Sequence, residues 1–294
     1  MKFYIVTPSY NALQWLQGCV RSVADQVCEG VQVHHHIQDG ASIDGTVEWL
    51  QKWQNEHANT EGYQLSFESA PDKGLYDAIN IGWKKMPADA DITAHLNADE
   101  QYLPDVLSTV SDVMGKSTEV DMLLTSHFIL DKDNRYICHR RPQFPNRTVS
   151  RVITQIITND CFHRASSFRK HNITFDCSYK SMADLIFFRD ILATNPRILR
   201  MPNLFGSAFV VTGTNVSWSD ITVFERQRIY KQLPLVLRKL RPLFVKGTGI
   251  LGVLMDLFYS APKVFSIYVA DSTERVTCTI HHPTHRWKMR SQGD

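Results

Sequence analysis

The 294-residue sequence has little of what marks the specialised chain classes. Its six cysteines, at 19, 28, 138, 161, 177 and 278, form no C-x-x-C and no paired spacing. That argues against a disulfide framework or a zinc site and for free thiols in a reducing cytosol. No secretory leader is visible, because Met1-Lys2-Phe3 leads straight into an apolar segment. A spanning helix needs about 20 mostly apolar residues. The best apolar stretch, 249–265, is broken by Asp256, Pro262 and Lys263. G-x-G-x-x-G is absent, so Gly40 and Gly45 are not a dinucleotide fingerprint. There is no internal repeat and no low-complexity segment. A net charge of only +2 gives no reason to expect a nucleic-acid partner.

What is present fits an ordinary globular protein, with a 43% hydrophobic and 21% charged share. The length suits one large domain or two small ones. Charge is unevenly placed: Arg226 to Arg290 holds 12 Lys/Arg against 3 Asp/Glu, so the remainder is acidic by seven. A basic C-terminal part suits an anionic partner or surface, or is a solvated basic face.

Lys2–Pro8 is short, β-branched and almost wholly apolar, as in a central parallel strand buried on both faces. Leu13, Leu16, Val20, Val23 and Val27 then recur at helical spacing. Val31–Gln38 reads as the next strand, ended by Asp39-Gly40, and Thr46–Trp53 as a helix. Leu65–Glu68 and Gly74–Lys85 repeat the alternation. Strands alternating with helices imply βαβ units and a mostly parallel sheet. His34-His35-His36 cannot converge on one ion, because successive strand residues point to opposite faces.

Ile92, Ala94 and Leu96 alternate along a fourth strand that runs into Asn97-Ala98-Asp99-Glu100. In α/β sheets ligands bind beyond the carboxyl ends of the strands. Carboxylates there suit Mg²⁺ or Mn²⁺ held against a diphosphate.

Four segments in this order resemble an inverting GT-A glycosyltransferase of family 2, of the bacterial branch that builds capsule, exopolysaccharide or O-antigen. They are I-V-T-P-S-Y-N (5–11), D-G-A-S-I-D-G-T (39–46), P-D-K-G-L-Y-D-A-I-N-I-G (71–82) and L-N-A-D-E-Q-Y-L-P (96–104). The resemblance covers roughly 1–215 and implies a GT-A domain over 1–218, split near residue 104 into nucleotide-sugar and acceptor halves. A basic, partly apolar and helical extension follows over 219–294. It implies transfer from a nucleoside-diphosphate sugar to a hydroxyl of a bacterial surface glycan or lipid-linked intermediate, with Mg²⁺ or Mn²⁺. Thr7, Pro8, Tyr10, Asp39, Asp72, Lys73, Asn80, Asn97 and Ala98 would border the nucleotide sugar. Asp99, with Glu100, would hold the metal. The family's D-x-D reads Asn97-Ala98-Asp99 here, and Gly40 stands where many relatives have an acidic residue. These two departures leave open a catalytically weak nucleotide-sugar-binding subunit that partners another transferase.

In the second half, Met122–Ile129 and Tyr136–His139 read as a strand pair around a turn at Asp131. Arg140, Arg141, Arg147 and Arg151 could meet phosphate groups or form a solvated loop. Asn159–Lys170 resembles the family segment after the metal motif, which would put His163 and Arg164 near the acceptor or diphosphate; a buried structural histidine is the alternative. Relatives carry an aspartate at a helix start facing the acceptor, and Asp184 matches it as general base. Gly213–Ser217 resembles an altered Gly-Gly-x-Ser ending. Beyond Leu233, apolar residues interleave with Arg238, Lys239, Arg241 and Lys246. They would meet a membrane interface, pack on the core or form a homo-oligomer contact. His281, His282 and His285 read as a polar tail. The expected location is cytoplasmic, peripheral to the inner membrane face.

Overall fold

The computed structural model describes residues 1–143, 145–152, 156–213, 220–258, 261–270 and 272–286, the side chains of 248, 251–253 and 255–258 excepted. The expected boundary at 218/219 and residues 214–217 of the Gly213–Ser217 segment lie outside them.

The first half alternates as its periodicity predicts: β1 (Lys2–Ser9), α1 (Leu13–Ala24), β2 (Gln32–Asp39), α2 (Thr46–Glu56), β3 (Tyr63–Ser69), α3 (Leu75–Lys84) and β4 (Ile92–His95). These are followed by β5 (Glu100–Tyr102), α4 (Val106–Lys116), β6 (Met122–Asp131), β7 (Tyr136–Arg140), β8 (Cys161–Arg164), α5 (Ala165–His171), α6 (Ala183–Ala193) and β9 (Ile198–Val211). The extension holds α7 (Asp220–Lys231) and α8 (Leu235–Phe258), then a strand pair, β10 (Lys263–Tyr268) and β11 (Arg275–Ile280), which its composition did not announce.

Among the described residues the main sheet has nine strands, ordered β3-β2-β1-β4-β8-β6-β9-β5 with β7 beside β6. The block β3-β2-β1-β4 is parallel throughout. β8 runs antiparallel to both β4 and β6, so β6 and its parallel neighbour β9 share the direction of β4. Six strands therefore point one way, and their carboxyl ends share a rim. This is a mixed α/β architecture with a curled, mostly parallel sheet.

Strand alternation sorts the core into two layers. Phe3 and Ile5 face Leu16, Val20, Leu50 and Leu107 on one side. Tyr4 and Val6 face Ile79, Trp83 and Phe187 on the other. Helix α3 lies close on β1: a Cβ on Gly82 would stand 2.5 Å from Val6 Cγ1, and the Tyr4 hydroxyl donates to the Gly82 carbonyl at 2.8 Å. Behind it Trp83, Phe175 and Phe187 stack, with centroids 5.5 and 4.2 Å apart.

The C-terminal segments are fastened to this body. Gln101 and Tyr268 exchange two hydrogen bonds: Gln101 Nε2 donates to the Tyr268 carbonyl at 2.7 Å, and the Tyr268 amide donates to Gln101 Oε1 at 2.8 Å. Arg275 reaches Asp25 at 2.9 Å and the Tyr102 carbonyl at 3.1 Å. The His139 amide donates to the Thr284 carbonyl at 3.0 Å, so the histidine-rich tail lies against β7. All six cysteines are free thiols. Among the described residues no helix is long and apolar enough to cross a membrane. Along α8, which runs through Pro242, Leu235, Val236, Leu243 and Ile250 stay exposed, so they are not covered by packing on the core.

Candidate active site

The carboxyl ends of β2, β1 and β4 bring most of the expected residues to one rim. Asp39, fully buried, is the last residue of β2. Its carboxylate accepts from the Ser42 amide (2.9 Å), Ser42 Oγ (2.5 Å) and Ser69 Oγ (2.6 Å). Asp39 thus ties the loop after β2 to the end of β3. Asn11 continues the lacing: its amide donates to Ser42 Oγ at 2.8 Å, and its Oδ1 accepts from the Ile43 amide at 2.9 Å. Asn11 holds φ at 47°, a left-handed turn that asparagine tolerates.

Gly40 follows, and its missing side chain decides what the pocket looks like. A Cβ there would stand 2.9 Å from Asp72 Oδ2 and 3.3 Å from Tyr10 Cδ2. Asp72 and Tyr10 therefore converge on the space that a side chain at position 40 would fill. Asp72 Oδ1 accepts from the Gly74 amide at 2.7 Å, which fixes the turn into α3. Tyr10 is 67% exposed, so one ring face is open at the mouth. Lys73 beside them is exposed.

Thr7 and Pro8 are buried in β1 and supply backbone; the Thr7 hydroxyl bonds His35 Nε2 at 2.8 Å. Asn80 is drawn into the scaffold: its amide clamps the Phe175 backbone with two 2.9 Å bonds.

At the end of β4 the chain turns through Asn97, Ala98 and Asp99. Glu100 is turned inward, 2% exposed, and accepts from the Asn97 amide at 2.7 Å. Burial, and next the negative charge of Asp99, push its carboxyl well above the usual range. Glu100 was expected as a second metal ligand; its carboxylate braces the turn instead, because β5 carries it into the sheet. Asn97 Oδ1 is buried without a hydrogen-bond partner among the described residues. Asp99 is half-buried two residues on. Both offer hard oxygens, which fit Mg²⁺ or Mn²⁺. Among the described residues no three His, Cys, Asp or Glu converge as a metal cage.

Asp184, half-buried in the first turn of α6, enters from the other layer. Lys180 Nζ bonds the Lys73 carbonyl, and the Tyr76 hydroxyl donates to the Ser181 carbonyl at 3.0 Å. The loop before α6 is thereby pinned to the loop that carries Asp72 and Lys73. Burial raises the Asp184 carboxyl to about 6, opposed by the Leu185 amide at 2.8 Å. A carboxyl with that pKa is poised for proton transfer near neutrality.

One residue that shapes this loop was missed. Glu225, on α7 and 4% exposed, accepts from the amides of Lys180 (2.5 Å), Ser181 (2.9 Å) and Met182 (3.0 Å). Thr222 bonds Ser181 side chain to side chain at 2.6 Å. The only signal in the sequence was an isolated glutamate in a basic stretch.

His163 and Arg164 are placed elsewhere. His163 pairs with Thr93 near the start of β4, at the far end from Asn97. Burial lowers its imidazole to about 4, so it is neutral there, packed on Phe168 with ring centroids 5.3 Å apart. Arg164 donates to the carbonyls of Val120, Met114 and Ser117 at 2.8–2.9 Å, closing the loop after α4. Strand direction explains both: β8 is antiparallel, so its first residues, not its last, lie on the ligand-binding rim.

The family model described as Glycosyl transferase family 2 matches residues 4–175, more than half of the chain. The chain belongs to this family. An uncharacterized glycosyltransferase of Mycobacterium tuberculosis, found in strains CDC 1551 / Oshkosh and H37Rv, is 31% identical over 119 residues. That match covers 40% of this chain and 42% of the relative, so the chain spans about two fifths of the curated relatives it matches. Solved structures share the GT-A fold. TarS of S. aureus, residues 1–349 in complex with UDP-GlcNAc, has a TM-score of 0.59 at 16% identity, over 88% of this chain and 73% of that one. The mannosyltransferase PcManGT from Pyrobaculum calidifontis, in complex with GDP-Man and Mn²⁺, has a TM-score of 0.52 at 13% identity, over 82% and 67%. In this member of the family the matched region runs from β1 to just before α6 and holds the Asp39, Asp72 and Asp99 rim. Asp184 and Glu225 lie beyond it.

Proposed function

We propose that this family 2 glycosyltransferase moves a sugar from a nucleoside-diphosphate donor to an acceptor hydroxyl with inversion, and that the acceptor is a surface glycan or lipid-linked intermediate. The observation that carries the proposal is the convergence of Tyr10, Asp72 and Gly40 beside Asp39, with Asp99 and Asn97 on the same rim and the segment before Asp184 tied to the Lys73 carbonyl by Lys180. Tyr10 offers a ring face to a base, and Asp72 an acceptor oxygen at the mouth. Asp184 takes the proton of the attacking hydroxyl, which needs its carboxylate form.

A divalent cation would be held by Asp99, with Asn97 Oδ1 in reach of the same turn, and donor phosphates would complete its shell, as is usual for Mg²⁺. When bound, it supplies Lewis-acid stabilisation of the departing diphosphate.

The test is thermal unfolding with Mn²⁺ and, in turn, UDP, GDP, CDP and dTDP. A nucleotide at 100 times its Kd adds about 2.7 kcal/mol to native stability. One nucleotide is expected to raise the melting temperature only with the metal, and Asp99→Ala to abolish that rise. No shift with any nucleotide overturns the reading.

The exposed apolar residues of α8, set among Arg238, Lys239 and Lys246, support a surface that rests on an anionic membrane. Co-sedimentation with phosphatidylglycerol vesicles, lost in Leu243→Glu, is the expected result; equal sedimentation of both proteins overturns it.

A further inference from the structure

On the far side of β4 from Asp39 and Asp72 lies a second concavity that no part of the proposed donor site uses. It has a volume of about 160 Å³ and is lined by His127, Arg140, Arg141, Gln143, Ile156 and Asp160, among others. Its place on the rim follows from topology. Because β8 runs antiparallel to β4, the Thr158–Asp160 turn that precedes β8 sits at the carboxyl end of β4, where the Asn97–Asp99 turn begins. His127 follows on β6, with Ser207 of β9 as its register partner.

The lining is built, not loosely solvated. His127 and Asp160 are 1% and 5% exposed, and the imidazole Nδ1 meets Asp160 Oδ2 at 2.5 Å. Ser207 Oγ donates to the other Asp160 oxygen at 3.4 Å. Asp160 is thus engaged on both oxygens and fixes the imidazole. Arg141 is 5% exposed, with Nη1 bonded to the Pro202 carbonyl and, at 3.1 Å, to Asn203 Oδ1, and its guanidinium stands over the Phe205 ring at 5.2 Å. Arg140 is aimed by bonds from Nη1 to the carbonyls of His139 and His285. Two oriented guanidiniums thus line a small cavity, and the carboxylate among its described lining residues, Asp160, is engaged by His127 and Ser207. An anion entering it meets them at low effective dielectric, where the attraction is several-fold stronger than in water. Guanidinium forks match the oxygens of phosphate.

We propose that this pocket binds a phosphate group carried by the acceptor, so that the acceptor of the transfer is a phosphorylated glycan or a phosphate-linked carrier. The phosphate site stands on the pocket's own residues; calling its ligand the acceptor rests on the donor assignment above. The cavity has room for a phosphate group, and the sugar or lipid it belongs to extends out of its mouth.

The experiment is calorimetric titration of the full chain in EDTA, which silences any metal-dependent diphosphate site. The probes are inorganic phosphate, glucose 1-phosphate and dihexanoyl phosphatidic acid kept below its micellar concentration, which offers α8 no membrane to rest on. Wild type and Asp99→Ala are expected to bind at least one probe equally, and Arg140→Gln and Arg141→Lys to bind it at least tenfold more weakly. Arg140 is the less buried of the two arginines, so Arg140→Gln serves if Arg141→Lys does not fold. Saturation by glucose 1-phosphate identifies a soluble phosphorylated glycan as the source; binding of the dispersed lipid alone identifies a lipid carrier. If no probe binds, or binding is the same in Arg140→Gln, the proposal is overturned. Nucleotide-induced stabilisation with Mn²⁺, measured on Arg140→Gln, separates the two readings. If it persists while phosphate binding is absent from wild type, only the pocket assignment fails. If phosphate binds as expected and no nucleotide does, only the donor assignment fails.

Discussion

Replacing Asp184 by asparagine is expected to lower kcat by about 10²- to 10⁴-fold, the usual contribution of a positioned general base. Nucleotide affinity should hold, since the Lys180–Lys73 and Tyr76–Ser181 contacts that join the loop before α6 to the Asp72–Lys73 loop do not use the Asp184 carboxyl. The pH dependence supplies an independent check. Burial places the Asp184 carboxyl at about 6, so the wild-type rate should climb with pH up to about 6 and then level. The variant's small residual rate should lack that limb. Stability should move the other way. The unfolded carboxyl loses its proton near 3.8 and the folded one near 6, so between those values the folded state binds more protons. Stability therefore falls as pH rises through that window and stays low above it. An uncharged asparagine avoids the cost, and the variant should be more stable at pH 7 by on the order of 1–3 kcal/mol. Denaturant midpoints at pH 4 and pH 7 measure this, and the gap between the two proteins should open only at the higher pH. Unchanged turnover in the variant would favour the catalytically weak binding subunit.

The second large effect is expected at Glu225. Truncation to alanine strands three backbone amides, those of Lys180, Ser181 and Met182, in a partly buried loop. At about 1–3 kcal/mol for each buried donor left unpaired, and allowing for water entry, the loss should be about 2–4 kcal/mol. Turnover should fall with it, because this loop sets where Asp184 begins α6. Glu225→Gln makes the distinction between scaffold and site. It keeps one acceptor oxygen and removes the charge. After burial, the negative charge of Glu225 is among the factors that hold the Asp184 carboxyl high, so the acid limb of the rate profile should move below 6 in that variant. A purely structural role would lower stability without moving the limb. Stopped-assay rates across pH 5 to 8 decide it.

Reading the sequence located the rim because the rim is local. Asp39 ends a strand, and Asp72 and Asp99 follow strands, whose period and end are visible in a few residues, and parallel pairing then lines those ends up. What stayed hidden depends on pairing across distance. His163 sits in a family-like segment, yet the antiparallel course of β8 carries it away from the ligand rim and brings Asp160 there. Asp160 and His127 are 33 positions apart and share no pattern until β6, β8 and β9 are adjacent. Glu225 acts on residues 43 to 45 positions earlier, from a helix whose charge reads as a solvated basic face. Asn80 looked like a site residue by motif, but burial gives its amide to the Phe175 backbone.

The reciprocal bonds between Gln101 and Tyr268 have a consequence in time. The two residues are 167 positions apart. At a synthesis rate of about 5–20 residues per second, roughly 8 to 33 seconds separate their emergence. Through that interval the rim half can already pair β1 to β4, whereas the amide of Gln101 and the carbonyl that Arg275 later covers on Tyr102 have no final partner. A nascent chain stalled before Tyr268 should therefore hold a formed β1–β4 block with a sticky flank, and it is at that flank that a chaperone would find its substrate.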